Sequence, residues 1–316
     1  MNPLVSVLSG FYNPSREHIN NFFNSINSCS YNSIEFIIFN DGSDEICTKY
    51  IHENIQASNQ KIKYIESKMN QGLTKALIIC ASAARGEFLA RLDFDDQMSP
   101  GRISAQVDYL QSNQLIDLIG SNFFVLDSTG KTIGQTFLKF KSSQEIARNV
   151  MSLKQFFCHS SWMIRSRVYF EVGGYDGFYL KAQDYNLLHR LILHGIDIGC
   201  HPDPLVYLTK DLNSVSYDRN NTQLKYCLTS MNCFYKGDFS NQEEVYKRVS
   251  HLIYTTGFSK YFDSYKKIVA LKYNFSGKNR LIVVTKHLFS DPISIVECFI
   301  YKIFRSFFIS LISRAQ

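Results

Sequence analysis

Short apolar runs alternate with amphipathic segments along the first half of the chain. The runs have the length of buried strands and lie at residues 4–8, 34–39, 62–65 and 86–92. Segments with apolar residues at helical spacing lie between them, at residues 19–26, 45–57 and 73–84. This alternation is typical of a mostly parallel, doubly wound sheet covered by helices. The pattern therefore predicts an α/β domain, in which the first strand breaks at Gly10 and Asn13-Pro14.

Polar residues follow three of the predicted strands, at residues 10–13, 40–44 and 93–96. In doubly wound sheets ligands bind beyond the carboxyl ends of the strands. The predicted fold gathers these three polar groups at one edge of the sheet. That edge is therefore the candidate site.

The fourth predicted strand ends in Asp93, Asp95 and Asp96. Because alternate side chains share a face of a strand, Phe88, Ala90 and Leu92 fall on one side, and Asp93 and Asp95 on the other. Two neighbouring carboxylates repel each other unless a cation lies between them. Hard oxygen ligands with an open coordination sphere suit Mg²⁺ or Mn²⁺. A solvated acidic turn, balanced by Arg91 on the same face, is the alternative.

The net charge of +6 lies at the end of the chain. Residues 1–235 carry 21 Lys and Arg against 22 Asp and Glu, whereas residues 236–316 carry 13 against 6. This shift predicts a boundary near residues 220–240. A chain of 316 residues allows one large domain with an appendage, so we expect a first domain at 1–220 and a basic, mostly helical region at 221–316.

The cysteines and the first residues bear on the compartment. The eight cysteines form no CxxC pair and have no regular spacing, which is typical of buried thiols in a reducing compartment. The first residues lack a charged segment followed by an apolar one. We therefore expect a cytoplasmic protein without a secretory signal.

An apolar stripe at helical spacing marks residues 291–314, formed by Ile293, Val296, Ile300, Phe304, Phe307 and Leu311. Pro292 stands at the first position of this predicted helix. Charged residues interrupt the apolar run, which disfavours a spanning helix. We expect an amphipathic helix on an anionic membrane surface, at the inner face of the membrane. Packing of the stripe on the same chain, or on a second copy in a homodimer, is the alternative.

An ordered set of short motifs makes the chain resemble family 2 glycosyltransferases. The motifs are Val5-Ser6-Val7 with Tyr12-Asn13, Asn40-Asp41-Gly42-Ser43, Asn70-Gln71-Gly72-Leu73, Ala90-Arg91-Leu92-Asp93-Phe94-Asp95-Asp96, His159-Ser160, Gly173-Gly174-Tyr175 and Gln183-Asp184-Tyr185-Asn186-Leu187. Their order is hard to obtain by chance. The resemblance covers about residues 4–218. It is nearest to the bacterial enzymes that build surface polysaccharides such as O-antigen and capsule.

The resemblance implies a GT-A fold and an inverting transfer from a nucleotide diphosphate sugar, most commonly a UDP-sugar. The acceptor would be a lipid-linked or oligosaccharide hydroxyl, and no nucleic acid partner is implied. Asp184 would be the catalytic base, and Asp95 with Asp93 would hold Mn²⁺ or Mg²⁺. The nucleotide-sugar site would comprise Tyr12, Asn13, Asn40, Asp41, Gly72, Lys75 and Asp93. Candidate acceptor or diphosphate contacts would be His159, Trp162, Gln183 and Lys210.

The chain departs from the family pattern at several of these positions. Gly10-Phe11 stands in place of the usual Pro-Thr, and Asn40 replaces a common aspartate. Gln183 replaces a common glutamate, which removes a negative charge beside Asp184 and lowers its basicity. Lys210 lies where the family often has Tyr-Arg.

Most candidate residues also have a purely structural interpretation. Asp184 is a candidate helix cap, and Asp41 a candidate turn residue. Tyr12, Trp162 and His159 are candidate core side chains. His189 and His194 lie five residues apart, the wrong helical spacing for a shared metal, so we interpret both as structural.

Three other function classes are alternatives for this sequence. A nucleotidyltransferase needs a loop rich in glycine and arginine after the first strand, which residues 9–14 do not provide. A phosphatase with an aspartyl nucleophile carries its motif on the first strand, far upstream of residues 93–95. A non-catalytic nucleotide-sugar binding protein stays open as the rival interpretation, and Gln183 favours it.

Overall fold

The computed structural model describes residues 2–127, 129–151, 157–209 and 222–256. The first half alternates strands and helices as the sequence predicts. The elements are β1 (Val5–Phe11), α1 (Arg16–Asn27), β2 (Ile34–Asp41), α2 (Glu45–Ala57), β3 (Ile62–Ser67), α3 (Leu73–Ala83) and β4 (Phe88–Arg91).

The second half is less regular, and several of its strands are short. It comprises β5 (Gln97–Met98), α4 (Arg102–Ser112), β6 (Ile116–Leu126), β7 (Thr132–Gln135), α5 (Ser143–Met151), a 3₁₀ turn (His159–Ser161), β8 (Met163–Arg165), α6 (Ser166–Glu171), α7 (Gln183–Leu193), β9 (Asp197–Thr209), α8 (Thr222–Lys236) and α9 (Gln242–Thr256).

All the described strands join one sheet in the order β3-β2-β1-β4-β8-β6-β9-β5, with β7 paired to β6. Strands β1 to β4, β6 and β9 run in one direction. Strands β5, β7 and β8 run the opposite way, and β8 lies between β4 and β6. The predicted α/β class is confirmed, and the sheet is mixed in its second half.

Two apolar cores cover the two faces of the sheet. Along β4, Phe88 and Ala90 belong to one core and Leu89 to the other. Leu92 and Phe94 continue the first set beyond the strand. This confirms the predicted alternation of Phe88, Ala90 and Leu92, while the placement of Asp93 and Asp95 on the opposite side stays a prediction, because β4 ends at Arg91.

Strand β1 continues through Gly10 and ends at Phe11, before Asn13-Pro14, so the predicted break at Gly10 itself was wrong. Gly10 pairs in register with Phe39 of β2. A Cβ atom built on Gly10 would lie 2.9 Å from the Cβ atom of Ala76 in α3. The glycine therefore serves the close approach of α3 to β1 rather than a turn.

Helices α8 and α9 contact the region that carries α7. The ring of Tyr226 lies 5.6 Å from that of Phe178 and 5.8 Å from that of Tyr179. Ser230 Oγ lies 2.8 Å from Nδ1 of the buried His189, which agrees with a structural role for that histidine. The domain boundary near residue 220 stays a prediction.

Two predictions lie outside the described residues, namely Lys210 and the amphipathic helix at 291–314. Across the described ranges, no helix has the length and apolarity needed to cross a membrane. The seven cysteines within those ranges are free thiols.

Candidate active site

The loops after β1 and β2 are hydrogen-bonded to each other at the carboxyl edge of the sheet. The backbone N–H of Asn13 donates to Ser43 Oγ at 2.9 Å, and Asn13 Oδ1 accepts from the N–H of Asp44 at 2.9 Å. The segment after β4 joins the same edge, because the N–H of Leu92 donates to the carbonyl of Leu8. The predicted convergence of the three polar groups is confirmed.

Asp41 ends β2 with a buried carboxylate that holds the start of α3. Its two oxygens accept hydrogen bonds from the N–H groups of Gln71, at 2.7 Å, and Gly72, at 2.8 Å. Gly72 has φ +89°, a conformation that favours glycine. Lys75 is exposed in the first turn of α3. Asp41 thus links two loops of the site, which is more than a turn residue requires.

Asn40 and Tyr12 have opposite environments. The amide Nδ2 of Asn40 donates to Thr48 Oγ1 at 3.0 Å and to Tyr64 Oη at 2.9 Å, while its Oδ1 accepts from the N–H of Ser43. This side chain is buried in the packing of α2 and β3 on β2. Tyr12 is 54 % exposed, so its interpretation as a core aromatic was wrong.

The acidic turn after β4 directs its carboxyl groups to different places. Asp93 and Asp95 are partly exposed, whereas Asp96 is buried. The buried Arg91 forms an ion pair with Asp93, as the balancing interpretation predicts. Arg91 also donates to the carbonyls of Leu8 in β1 and Leu92, so the backbone of two neighbouring segments holds its guanidinium group.

The pKa values of the two outer carboxyls diverge. Burial alone would raise the pKa of Asp93, but Arg91 and neighbouring donors lower it below its ordinary value. Burial, and then the charge of Asp93, raise the pKa of Asp95 to about 6. A cation bound between Asp93 and Asp95 would relieve the repulsion between their carboxylates.

The donor set fits a divalent cation completed by a ligand. Among the described residues, no group of three or more His, Cys, Asp or Glu side chains is arranged to hold a metal. Within those ranges, the carboxylates of Asp93 and Asp95 are the candidate ligands. Mg²⁺ and Mn²⁺ accept one or two carboxylates when phosphate oxygens and water fill the remaining positions.

Ser160 and Asp96 form a buried connection under this turn that the sequence did not predict. Ser160 Oγ lies 2.7 Å from Asp93 Oδ2, accepts the backbone N–H of Asp93 at 3.1 Å and contacts Asp96 Oδ2. Asp96 Oδ1 accepts the N–H of Thr209 at 2.9 Å. The available signals were the third aspartate in the motif and the serine that follows His159.

His159 and Trp162 lie beside the acidic turn. His159 Nε2 lies 2.7 Å from Tyr175 Oη, and its ring meets that of Trp162 edge-on at 4.8 Å. Burial, and then Arg91, lower the pKa of His159 to about 3, so the ring is neutral at pH 7. Trp162 is 2 % exposed, which agrees with its interpretation as a core aromatic rather than as an acceptor contact.

Asp184 lies in the first turn of α7. The cap position belongs to Ala182, which has φ +57° and makes no side-chain cap hydrogen bond, so the interpretation of Asp184 as the helix cap was wrong. Burial raises the pKa of Asp184 to about 6, although the N–H groups of Tyr185 and Asp184 itself oppose the shift, and Asp93 contributes to it. Gln183 is buried beside it.

The edge of the sheet thus holds two acidic groups with different capacities. The turn at residues 93–96 presents two partly exposed carboxyls suited to a cation. Asp184 is a carboxyl group whose raised pKa suits it to accept a proton near neutrality. The charge of Asp93 contributes to the raised pKa of Asp184, so the two carboxyl groups are within electrostatic range of each other.

Several curated relatives of the chain are named as glycosyltransferases. The chain is 27 % identical over 190 residues to an uncharacterized glycosyltransferase of Methanocaldococcus jannaschii, covering 60 % of this chain and 65 % of that one. It is 30 % identical over 173 residues to the putative glycosyltransferase EpsE of Bacillus subtilis, covering 55 % and 60 %. It is 25 % identical over 191 residues to the O-antigen biosynthesis glycosyltransferase WbnJ of Escherichia coli, covering 60 % and 72 %. The matches to the first two span less than two thirds of those relatives.

Solved structures agree in fold. The chain superposes on S. aureus TarS 1–349 in complex with UDP-GlcNAc with a TM-score of 0.60 and 15 % identity, covering 81 % of this chain and 73 % of that one. The complex with UDP gives a TM-score of 0.59. The family model described as glycosyl transferase family 2 matches residues 6–173, more than half of the chain. The chain therefore belongs to glycosyl transferase family 2 and has a GT-A fold.

Proposed function

We propose that this protein transfers a sugar from a UDP-sugar to a hydroxyl group of a growing surface polysaccharide, with inversion at the anomeric carbon. The observation that carries the proposal is Asp184, because its raised pKa, to which the charge of Asp93 contributes, suits a general base. Family membership supports the reaction class. The UDP-GlcNAc complex of TarS and the O-antigen relative support the classes of donor and acceptor.

The donor would lie across the loops after β1, β2 and β3. The exposed ring of Tyr12 is available to stack on the base, beside Asn13. Asp41 fixes the Gln71–Gly72 peptide groups and the N-terminus of α3, where backbone donors and Lys75 favour phosphate. In this proposal Asn40 stabilises the loop after β2 through its hydrogen bond from the N–H of Ser43 and does not contact the nucleotide.

Asp95, with Asp93, would hold Mn²⁺ or Mg²⁺ against the diphosphate. The bound cation supplies Lewis-acid stabilisation of the charge on the departing diphosphate. Arg91 keeps Asp93 ionised at neutral pH, and Ser160 fixes its orientation.

Asp184 would act on the acceptor. Its carboxylate takes the proton of the acceptor hydroxyl while that oxygen forms a bond to the anomeric carbon. The bond from that carbon to the diphosphate oxygen breaks in the same step, so a single displacement inverts the configuration. Neutral His159 and buried Gln183 flank this part of the site.

If the acceptor is lipid-linked, the basic C-terminal region would hold the protein at the membrane that contains the acceptor. The apolar stripe at 291–314 and the excess of 13 Lys and Arg over 6 Asp and Glu in residues 236–316 suit an anionic membrane surface. In this proposal the protein works at the cytoplasmic face of the membrane.

Hydrolysis of a panel of nucleotide sugars with and without Mn²⁺ tests the proposed reaction class. We expect slow, metal-dependent hydrolysis of one sugar nucleotide, because water replaces the acceptor hydroxyl. Tight nucleotide-sugar binding without turnover of any donor would favour the non-catalytic binding protein instead.

A further inference from the structure

The most connected polar group beneath the acidic turn is the hydroxyl of Ser160, which is buried. Its oxygen lies within hydrogen-bond distance of the N–H of Asp93, of Asp93 Oδ2 and of Asp96 Oδ2. A serine hydroxyl has one proton, so it donates to one of the two carboxyl oxygens at a time while it accepts from the N–H of Asp93. Ser160 therefore joins the first and last aspartates of the turn.

Asp96 points into the protein, unlike Asp95. One of its carboxyl oxygens contacts Ser160, and the other accepts the backbone N–H of Thr209 at 2.9 Å. The residue is 2 % exposed. Both oxygens thus have partners within the chain, and the carboxyl group is turned away from the surface on which a cation would bind.

The same segment is also paired to β9. Gln97 and Met98 pair with Tyr207 and Val206 in antiparallel register, and the N–H of Ser99 donates to the carbonyl of Leu205. Asp96 extends this pairing to Thr209, the last residue of β9. The acidic turn is therefore fixed on one side by β9 and on the other by the 3₁₀ turn that carries Ser160.

We propose that Asp96 and Ser160 are positioning residues, which hold the carboxylates of Asp93 and Asp95 in the arrangement that binds the divalent cation, and that Asp96 is not a ligand. This inference rests on the proposed function, because it requires the cation site at Asp93 and Asp95. It assigns the third aspartate of the motif to hydrogen bonding rather than to charge.

Asparagine and alanine at position 96 separate these two roles. In Asp96→Asn the amide oxygen accepts from the N–H of Thr209, the amide nitrogen donates to Ser160 Oγ, and the Ser160 hydroxyl still donates to Asp93. Asp96→Ala removes both hydrogen bonds, and Ser160→Ala removes the contact shared by Asp93 and Asp96.

The test is the Mn²⁺ affinity of the full chain in the presence of UDP, measured from the electron paramagnetic resonance signal of free Mn²⁺. We expect Asp96→Ala and Ser160→Ala to weaken Mn²⁺ binding about 10–100-fold, the usual effect of losing a partner that orients a metal ligand. Asp96→Asn should bind Mn²⁺ like the parent. Circular dichroism and thermal unfolding of each variant establish that it is folded.

Ser25→Ala is the matched control. Its buried hydroxyl accepts the N–H of Met98 at 2.8 Å, so it supports the same segment without touching the aspartates. We expect this variant to keep the parental Mn²⁺ affinity. If Ser25→Ala weakens Mn²⁺ binding as much as Ser160→Ala does, a specific positioning role is wrong.

The remaining outcomes also decide the inference. Parental Mn²⁺ affinity in Ser160→Ala and in folded Asp96→Ala would overturn it. A loss in Asp96→Asn equal to the loss in Asp95→Ala would overturn it as well, by showing that the charge of Asp96 matters. If Asp95→Ala itself binds Mn²⁺ and UDP like the parent, the proposed cation site fails rather than the positioning role alone. If Asp96→Ala does not fold, Ser160→Ala and Asp96→Asn carry the decision.

Discussion

The environment of Asp184 lowers the stability of the folded protein and also suits the residue to its proposed role as general base. Burial of its carboxyl group disfavours the charged form, which is why its pKa rises. The residue also follows Ala182, whose φ of +57° is uncommon outside glycine. Asp184 is partly buried, and backbone strain close to such a carboxyl group is a pattern found at functional sites.

Replacing Asp184 by asparagine should stabilise the folded protein at neutral pH. The pKa rises from an ordinary 3.8 to about 6, so between these values the folded state binds more protons and the free energy of unfolding falls as the pH rises. The gain in Asp184→Asn should reach at most about 3 kcal/mol above pH 6 and vanish near pH 4. Urea unfolding of parent and variant across this range measures it. A variant less stable than the parent at pH 7 would contradict the account.

Turnover should follow the same group. A general base acts in its ionised form, so hydrolysis of the donor should be level above about pH 6 and fall about tenfold per pH unit below it. Initial rates across pH 5 to 8, roughly the span in which such groups titrate, give the profile. A rate that stays constant below pH 6 would exclude Asp184 as the rate-determining base.

Single residues also show what sequence reasoning reached and what it missed. Asp41, Asp95 and Asp184 belong to recognisable sequence motifs, so they could be predicted as candidate site residues. The links of Ser160 to Asp93, and of Asp96 to Thr209, join residues 67 and 113 positions apart, so no local pattern indicates them. Tyr12 and Trp162 are both aromatic, and the fold alone determines that Tyr12 is exposed and Trp162 is buried.

At the scale of elements, the contact between β1 and α3 holds two sides of the site together. Gly10 lies in that contact, and α3 begins at the loop fixed by Asp41. The approach is close because β1 carries no side chain at this position. A side chain there would move α3, and with it the region of Gly72 and Lys75.

Gly10→Ala should therefore destabilise the protein by about 1–3 kcal/mol through overpacking, and weaken UDP binding. The added Cβ atom would lie 2.9 Å from that of Ala76. Gly101→Ala is the control, because a Cβ atom there meets nothing within 4 Å. Urea unfolding and UDP titration measure both variants. Equal stability of the two variants would mean that α3 adjusts without cost.

The periodic elements were predictable, and the short ones were not. Helix α2 has the predicted bounds, and β2 and α3 differ from prediction by a few residues. Strands β5 and β8 have two and three residues, too few for a hydrophobic period to appear. β8 exists because it pairs with β4 on one side and β6 on the other, which depends on the folded sheet.

At the scale of the whole molecule, the site extends beyond the part that defines the family. The family model ends at residue 173, whereas Asp184, β9 and α8 come later in the chain. Asn186 and His189 of α7 both contact Ser230 of α8. The helix that carries Asp184 is therefore supported by the C-terminal region, whose last part carries the excess positive charge.

The full chain should bind anionic vesicles at low salt and release them as salt rises, because screening weakens the attraction. Truncation after Lys286 should abolish vesicle binding while UDP binding is kept. A full-length variant with Lys302→Glu and Arg305→Glu keeps the whole segment and changes only its charge. It should also fail to bind anionic vesicles. Vesicle flotation measures this. A full chain that ignores anionic vesicles, or a truncated chain that unfolds, would assign residues 291–314 to protein packing.

In the proposed mechanism, Asp184 removes the acceptor proton without taking part in donor binding. The most direct test of this mechanism measures UDP affinity with Mn²⁺ and turnover of the preferred sugar nucleotide, side by side, for the parent and Asp184→Asn. For Asp184→Asn we expect parental UDP affinity and a turnover reduced about 10²–10⁴-fold, the usual effect of removing a general base. Near-parental turnover in Asp184→Asn, with UDP still bound, would contradict it.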